Sequence, residues 1–481
     1  MDHSQIRELV AATLLFLDKA ILVYLVFLNS FYALLLLLSI PELREHFRIA
    51  GDENLRLLRG TDVVPPISVL VPAFNEEATI VASVLSFLSL EYPRHEVIVV
   101  NDGSTDGTME TLISAYELYE APPAYSTEVQ TAQVYAYYRS KVHSRLACLN
   151  KANGGKGDSL NAALNAARFP YVLAVDADTL VERDALLRLA RPFLLGKAVA
   201  AVGGTIRVAN ASQIDHGQVT HPRVDTRWLP GVQTVEYLRA FLFGRLGWNR
   251  LGGSLIISGA FGLFRHDHLQ AVGGYNTGSV TEDMDLVVRL HKYLRAEKLP
   301  DQFHFIPDPV AWTEVPTSIK VLFRQRERWH RGLIATLLQH KGMMFNPRYG
   351  RAGLIAYPAF FFGEMLAPAV EVIGYIAVLL GLLFNLVDTE FAILFAIVAI
   401  GYGLLLSLWA VALDELSFRR YSHAGDFMRL LWFALVESFG YRQLTVGFRV
   451  VSFWKYIVGD KQWGSQEREG FETEVVRPPD E

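Results

Sequence analysis

The segment Tyr171-Val172-Leu173-Ala174-Val175-Asp176-Ala177-Asp178 decides the fold class. A short unbroken apolar run is typical of a β-strand that is buried on both faces, and here two carboxylates follow where the run ends. Strands of this kind form parallel sheets, and ligands bind outside the carboxyl ends of the strands. The segment therefore predicts an α/β sheet with a polar site along one edge.

The same arrangement occurs three more times between Pro65 and about Pro309, where short β-rich runs alternate with helical stretches. Each predicted strand is followed by polar residues: Ile67–Val71 by Pro72-Ala73-Phe74-Asn75-Glu76, Glu96–Val100 by Asn101-Asp102-Gly103-Ser104, and Leu146–Asn150 by Gly154-Gly155-Lys156. No G-x-G-x-x-G follows the first strand, and the glycines around Lys156 lack the remaining features of a P-loop. These two familiar nucleotide sites are therefore excluded, and the carboxylates at the strand ends remain as the candidate site.

Composition limits the class of protein. The chain has 481 residues, of which 51% are hydrophobic and 20% charged, and its net charge of -5 gives no reason to expect a nucleic-acid partner. The mean hydropathy of +0.22 is high for a wholly soluble protein. Cys148, the single cysteine, excludes an internal disulfide and is expected to be a buried, inert thiol.

Long apolar runs at both ends predict membrane spans. Ala20–Ile40 is long enough for one crossing, and the shorter Leu9–Leu17 before it is either interfacial or a helical extension. Leu354–Val387 is one kinked span, or a re-entrant piece plus a span, and Phe391–Leu413 returns. Leu430–Val458 carries charges and either lines a polar path or lies at the interface.

Basic residues behind the first span place the middle of the chain in the cytoplasm. The predicted organisation is an N-terminal interfacial and transmembrane helix at 1–45, a cytoplasmic domain at 46–350 with an interface helix near 316–340, a transmembrane region of roughly three to four helices at 351–459, and a tail at 460–481.

Carboxylates on strand and helix ends are the candidate catalytic groups. Asp176 and Asp178 suit a hard cation such as Mg²⁺ or Mn²⁺, although an ordinary polar turn and the second Asp-x-Asp, Asp283-Met284-Asp285, are the competing interpretation. Asp283 is either a favourable acid in the first turn of a helix or a general base. The glycine-broken turn Ile256–Phe264 indicates close approach of the backbone to a ligand.

A basic helix precedes the apolar C-terminal runs, with the sequence Arg324-Gln325-Arg326-Glu327-Arg328-Trp329-His330-Arg331. Gln325, Arg328 and Trp329 share one face at i, i+3 and i+4, where guanidinium donors suit phosphate oxygens and the indole offers an apolar platform. The remaining arginines, Arg324, Arg326 and Arg331, are interpreted as a membrane-surface face.

Together, and in this order, these motifs resemble the family 2 glycosyltransferases of GT-A type, specifically the processive membrane-embedded synthases. The motifs are Val71-Pro-Ala-Phe-Asn-Glu, Asn101-Asp-Gly-Ser, Gly155-Lys156, Asp176-Ala-Asp178, Thr281-Glu-Asp283 and Gln325-Arg-Glu-Arg-Trp329. The last is similar to the Q-x-x-R-W signature of cellulose, hyaluronan, chitin and poly-N-acetylglucosamine synthases. The resemblance covers about Pro65 to Gly332 and implies a GT-A, Rossmann-like nucleotide-sugar-binding α/β domain flanked by transmembrane α-helices.

For the donor, the resemblance implies that Asp102 and Lys156 bind the nucleotide of a UDP-sugar. It also implies that Asp178, with Asp176 alongside, holds Mg²⁺ or Mn²⁺ on the diphosphate. For the transfer itself, it implies that Asp283 deprotonates the acceptor hydroxyl in a single inverting displacement. Further contacts are implied at the basic helix: Gln325 and Arg328 with the donor diphosphate, and Trp329 with the acceptor sugar at the mouth of a channel.

The expected protein is a multi-pass enzyme of the plasma (inner) membrane that elongates a β-linked polysaccharide and exports it. Its partners would be a UDP-sugar, a growing glycan or lipid-linked acceptor, membrane lipids and accessory export subunits. The alternatives are transfer of one sugar to a lipid carrier or glycolipid, and a non-catalytic transporter or scaffold.

Overall fold

The computed structural model describes residues 3–52, 64–215, 217–384, 389–421 and 423–459, so the predicted tail at 460–481 lies outside it. The strands are β1 (Ile67–Ala73), β2 (His95–Asn101), β3 (Leu118–Glu120), β4 (Val134–Ser140), β5 (Leu146–Lys151), β6 (Tyr171–Val175), β7 (Leu180–Val181), β8 (Val199–Val208), β9 (Gln213–Asp215), β10 (Gln218–His221), β11 (Phe261–Arg265) and β12 (Gln302–Thr313). In the described residues, ten of them form one sheet in the order β3-β4-β5-β2-β1-β6-β11-β8-β12-β7, and β9 pairs with β10.

The centre of the sheet is parallel. β1 pairs in parallel with β2 and β6, and β2 pairs in parallel with β5. The register sets Ala73 opposite Asn101, and Asn101 opposite Asn150, so these strands end at the same edge. The polar residues that follow them therefore meet there, as the sequence predicts.

Helices cover both faces of the sheet. They are α1 (His3–Asp52), α2 (Ile80–Leu88), α3 (Thr108–Tyr116), α4 (Lys156–Ala166), α5 (Ala185–Leu194), α6 (Trp228–Leu238), α7 (Arg245–Leu251), α8 (His266–Ala271), α9 (Glu282–Ala296), α10 (Ile319–Gln339), α11 (Ala367–Leu383), α12 (Thr389–Ala396), α13 (Tyr402–Ser417), α14 (Ala424–Val436) and α15 (Arg442–Val458). π-Helical turns at Arg239–Gly244, Ala352–Ala356, Ala359–Met365, Ile397–Gly401 and Glu437–Tyr441, and 3₁₀ turns at Lys341–Met343 and Pro347–Tyr349, join or extend them.

Successive residues of β1 enter different cores. Val69 and Val71 pack with Phe87 of α2, whereas Leu70 packs with Leu160 of α4, and all five side chains are buried. Each such side chain contributes about 1.5 to 3 kcal/mol through burial. This two-sided burial explains why the strands read as continuous apolar runs. Cys148 of β5 is fully buried as expected, and burial raises the pKa of its thiol to about 12.

Apolar helices flank the sheet domain in sequence. By length and composition, the described part of the chain has two helices able to cross a membrane, Ala12–Ile49 and Ala392–Ser417. A third candidate is the pair Ala352–Met365 and Ala367–Leu383, which is bent by 41° and is a broken span or a re-entrant loop. Leu9–Leu17 is a helical extension, since it belongs to the continuous α1. The predicted α/β sheet with long apolar helices on either side is confirmed.

The charged segment Leu430–Val458 is folded as α14, a π-helical turn and α15. The turn is kinked at Phe439 and Gly440, and the φ of 95° at Gly440 is accessible to glycine without steric cost. α14 packs on α6, and α15 packs on α10. The segment thereby lies against two helices of the sheet domain.

Candidate active site

One cavity of about 1410 Å³ lies at the carboxyl edge of the parallel strands. It is lined by every candidate residue chosen from the sequence, namely Asp102, Lys156, Asp176, Asp178, Asp283, Gln325, Arg328 and Trp329. The cavity continues past the basic helix to Phe360, Glu364 and Arg449 of the C-terminal apolar region. The structure therefore brings all of the predicted site residues together.

Asp102 holds the glycine loop that follows β5. Its Oδ1 accepts hydrogen bonds from the Nζ of Lys151 (2.5 Å) and the N–H of Gly154 (3.0 Å), and its Oδ2 accepts one from the N–H of Gly155 (2.8 Å). Lys151 is fully buried and also pairs with Asp158 at 2.7 Å. Asp102 thus shapes the loop from which Lys156 enters the cavity, and its predicted contact with a nucleotide stays a prediction.

Lys156 is the first residue of α4. It contacts one carboxylate that follows β6 and another at the start of α9. Its Nζ lies 2.6 Å from Oδ1 of Asp176, 3.3 Å from Oε1 of Glu282 and 3.2 Å from the carbonyl of Gly259. Burial opposes its charge, but Asp176, Glu282 and Asp283 outweigh burial and raise the pKa of Lys156. Burial raises the pKa of Glu282, and Asp283 and Asp176 raise it further against the influence of Lys156. The lysine therefore neutralises a concentrated acidic group.

Asp283 is fixed at the start of α9 by two backbone groups. Its Oδ2 accepts a hydrogen bond from the N–H of Gly259 (2.9 Å), and its Oδ1 accepts one from the N–H of Met284 (2.8 Å). A Cβ at Gly259 would lie 3.1 Å from Oδ2 of Asp283 and 3.2 Å from Nζ of Lys156. The glycine-broken turn therefore brings its backbone close to the candidate base, and the carboxylate remains at the wall of the cavity.

Asp285, the other half of this Asp-x-Asp, faces away from the cavity and is completely buried. Its Oδ1 lies 3.0 Å from Nε2 of His340, which ends α10, and its Oδ2 accepts a hydrogen bond from Nε of Arg289 at 2.7 Å. Thr281 and Thr336 make a further contact between the two helices, at 3.3 Å between their hydroxyl oxygens. Asp285 therefore joins the helix that carries the candidate base to the basic helix.

The basic helix α10 contributes part of the wall of the cavity. Gln325 is buried, Arg328 is partly buried, and Trp329 is 39% exposed, so the indole is available as a platform. The buried Oε1 of Gln325 makes no hydrogen bond within the described part of the chain. These three residues line the cavity as the helical spacing predicts.

The interpretation of Arg326 and Arg331 as a membrane-surface face is wrong. Arg326 is 4% exposed, and its Nη2 lies 2.7 Å from Oε2 of Glu236, which also accepts a hydrogen bond from the hydroxyl of Tyr441 (2.6 Å). Arg331 is also 4% exposed and pairs with Glu327 at 3.0 Å. The error has a physical cause. Helical periodicity predicts which face of a helix is polar, but it does not predict whether another segment packs an acidic residue against that face.

Sequence reasoning missed the wall formed by α6, the π-helical turn and α7. This wall contributes Glu236, Tyr237, Phe241 and Arg245 to the cavity. Burial raises the pKa of Tyr237 to about 12. The available signal was the pair of charged residues, Glu236 and Arg245, on either side of the apolar run Ala240-Phe241-Leu242-Phe243, since charge beside such a run requires a reason.

Asp176 and Asp178 fit a divalent cation. Both line the cavity, Asp178 is 5% exposed, and the side chain of Asp176 is 28% exposed. Mg²⁺ commonly takes one or two protein carboxylates and completes its shell with phosphate oxygens and water. Among the described residues, no group of three or more His, Cys, Asp or Glu side chains is arranged to hold a metal. The pair therefore suits a cation that arrives with a diphosphate.

Comparison with known proteins gives relatives that match part of the chain. The chain is 30% identical over 276 residues to the poly-β-1,6-N-acetyl-D-glucosamine synthase of Staphylococcus epidermidis, covering 57% of this chain and 56% of that protein. It is 29% identical over 300 residues to the enzyme of the same name from Staphylococcus aureus, covering 62% of this chain and 60% of that protein. The matched region thus spans little more than half the length of these relatives.

Among solved structures, a mannosyltransferase from Pyrobaculum calidifontis in complex with GDP-Man and Mn²⁺ is similar, with a TM-score of 0.49 and 19% identity. The similarity covers 85% of this chain and 99% of that one. The sequence profile of the family described as "Glycosyltransferase like family 2" matches residues 65–332, which is more than half of the 481 residues. The chain therefore belongs to the family 2 glycosyltransferases.

Proposed function

We propose that the protein transfers a sugar, with inversion, from a UDP-sugar to the end of a growing β-linked glycan and delivers the product into the membrane. The observation that carries this proposal is the single cavity that joins strand-end carboxylates, the candidate base and the basic helix to the C-terminal apolar region. A plasma-membrane location with the sheet domain in the cytoplasm belongs to the same proposal.

The donor occupies the strand-end side of the cavity. Asp102 shapes the loop for the nucleotide, and Gln325 and Arg328 contact the diphosphate from α10. Asp176 and Asp178 would hold Mg²⁺ or Mn²⁺, which when bound would neutralise charge on the departing UDP. Guanidinium and amide donors aimed at the same oxygens add to this stabilisation because negative charge accumulates there during the displacement.

The acceptor approaches from the side of Trp329. Asp283 takes the proton of the attacking hydroxyl, whose oxygen bonds to the anomeric carbon as the bond to the diphosphate breaks. Hydrogen bonds from Gly259 and Met284 restrict rotation of the carboxylate, so that it stays oriented toward the acceptor. The exposed indole of Trp329 supports the acceptor sugar through an apolar stacking surface.

The sugar we propose first is N-acetylglucosamine, because the Staphylococcus relatives are poly-β-1,6-N-acetyl-D-glucosamine synthases. The test is UDP release by purified protein with Mg²⁺ across a panel of UDP-sugars. We expect UDP-N-acetylglucosamine to give the highest rate. A higher rate with another UDP-sugar would overturn the choice of sugar, and no release from any of them would overturn the enzymatic proposal.

Continuity of the cavity with Phe360, Glu364 and Arg449 favours a polymer that leaves through the C-terminal region. Accessory export subunits are part of the same proposal. The same continuity would admit a lipid-linked acceptor, which keeps single transfer to a lipid carrier as the second candidate. Radiolabelled donor distinguishes them, because a polymer remains in the aqueous phase whereas a singly glycosylated lipid partitions into organic solvent. A product found only in solvent would refute the polymer.

A further inference from the structure

Arg245 is a charged residue of the cavity to which the proposed mechanism gives no role. It begins α7, directly after the π-helical turn Arg239–Gly244, and lines the cavity together with Tyr237 and Phe241. It belongs to none of the six motifs that point to the family. Its positive charge lies in the same cavity as the acidic groups, and neither the motifs nor the proposed mechanism explains it.

The guanidinium of Arg245 is held by aromatic rings rather than by an acid. Its Cζ lies 4.3 Å from the ring centroid of Phe241 and 5.6 Å from that of Phe305. Its Nη1 is buried, and Arg245 makes no hydrogen bond or ion pair with any residue that the structure describes. The rings fix the plane of the guanidinium and leave its N–H donors unused.

Two other cations that line the cavity are paired with acidic residues. Lys156 lies against Asp176 and Glu282, and Arg326 lies against Glu236. Burial lowers the pKa of Arg245 to about 10, with Asp283 and Tyr237 acting in the opposite direction. The side chain therefore keeps its positive charge at neutral pH. A partly buried cation without a counter-ion is costly, and an anion that enters the cavity would recover that cost.

We infer that Arg245 is an oxyanion-binding residue of the donor site and that the anion it binds is the phosphate chain of the nucleoside diphosphate sugar. A guanidinium fork with its plane fixed suits phosphate oxygens, to which it can donate two parallel hydrogen bonds. The bound sugar nucleotide is the anion that the proposed function requires in this cavity, and the inference rests on that function. A carboxylate on the sugar could accept the same hydrogen bonds, and the experiment below distinguishes it from phosphate.

The experiment measures binding of UDP, of UDP-glucuronate and of uridine, with Mg²⁺, to the full chain in detergent by titration calorimetry. The variants are Arg245→Gln, Arg245→Lys and the control Arg265→Gln, whose exposed side chain pairs with Asp267 and does not line the cavity. We expect Arg245→Gln to weaken UDP binding by about 10- to 100-fold and to leave uridine binding unchanged, since charged hydrogen bonds to phosphate are lost. Arg245→Lys should lose less affinity for UDP than Arg245→Gln does. Arg265→Gln should bind UDP as tightly as the unaltered protein does.

Unchanged UDP binding by Arg245→Gln would overturn the inference and leave the proposed donor intact. Equal losses for UDP and uridine would also overturn it, because they indicate a disturbed fold rather than a lost phosphate contact. A loss confined to UDP-glucuronate, with UDP unaffected, would assign the residue to a sugar carboxylate and refute the phosphate contact. Failure of the unaltered protein to bind UDP would remove the proposed donor as well.

Discussion

The buried ion pair between Arg207 and Asp414 gives the sharpest test of how the sheet is attached to the apolar C-terminal region. Arg207 lies on β8 and Asp414 on α13, and their side chains are 1% and 4% exposed. Arg207 donates hydrogen bonds to both carboxylate oxygens, one from Nη1 at 3.2 Å. It also lies near the rings of Phe418 and Tyr421, at 5.9 and 5.6 Å from their centroids.

Asp414→Asn leaves the guanidinium buried without its counter-charge. Removing one member of a buried pair typically costs about 3 to 5 kcal/mol, and the two rings retain part of the stabilisation of the cation, so we expect about 3 kcal/mol. That loss lowers the ratio of folded to unfolded protein by about 150-fold. Arg207→Met should cost a similar amount, since it leaves the carboxylate unpaired.

The assay is equilibrium denaturant unfolding in detergent, followed by tryptophan fluorescence, for both single variants and for Arg207→Met combined with Asp414→Leu. The double variant should be more stable than either single variant because no buried charge is left unpaired. The matched control is Arg265→Gln with Asp267→Asn, a pair with side chains 43% and 61% exposed, for which we expect less than about 1 kcal/mol. Single variants within about 0.5 kcal/mol of the unaltered protein would refute the reasoning.

Three further outcomes are expected. Asp283→Asn should reduce sugar transfer by about 10²- to 10⁴-fold and leave UDP binding unchanged, because the amide cannot accept the acceptor's proton; transfer at the normal rate would remove the assignment of the base. Asp178→Asn should raise the Mg²⁺ concentration for half-maximal transfer by at least about tenfold, and an unchanged Mg²⁺ titration would place the cation elsewhere. At Asp285, burial is outweighed by the hydrogen bonds from His340 and Arg289, which lower its pKa. Its ionised form therefore stabilises the fold above the unfolded pKa of about 4, and this stability is lost as pH falls through the lower folded pKa. The unaltered protein should therefore have a higher melting temperature than Asp285→Asn at neutral pH, and the two melting temperatures should converge in acid. A difference in melting temperature that does not depend on pH would contradict this.

Much of the site was predictable because its signals are local. The apolar run before Asp176 specifies a buried strand, and the parallel pairing of β1, β2, β5 and β6 then brings the strand ends together. The i, i+3, i+4 spacing of Gln325, Arg328 and Trp329 is likewise a property of one helix. Local patterns therefore sufficed for the α/β sheet and for part of the cavity lining.

The remaining features depend on contacts between distant segments. Arg326 meets Glu236 and Tyr441, which are far from it in sequence, so a helical pattern alone assigned it to the wrong environment. Arg245 is held by Phe241 and by Phe305 of β12, a neighbour that spacing does not reveal. These contacts follow only once the helices have been packed on the sheet.

The attachment of α10 to the C-terminal segment has a practical consequence. Arg326 is linked through Glu236 to Tyr441. The carboxylate of Glu327 lies 3.4 Å from Nζ of Lys455, and the backbone carbonyl of Glu327 accepts a hydrogen bond from the hydroxyl of Ser452 at 3.2 Å. A fragment ending at Gly332 would keep every motif that marks the family, yet it would expose the polar side of α10 to solvent. The sheet domain is thus packed through charged and polar side chains against the C-terminal apolar region, and we expect the two to unfold together.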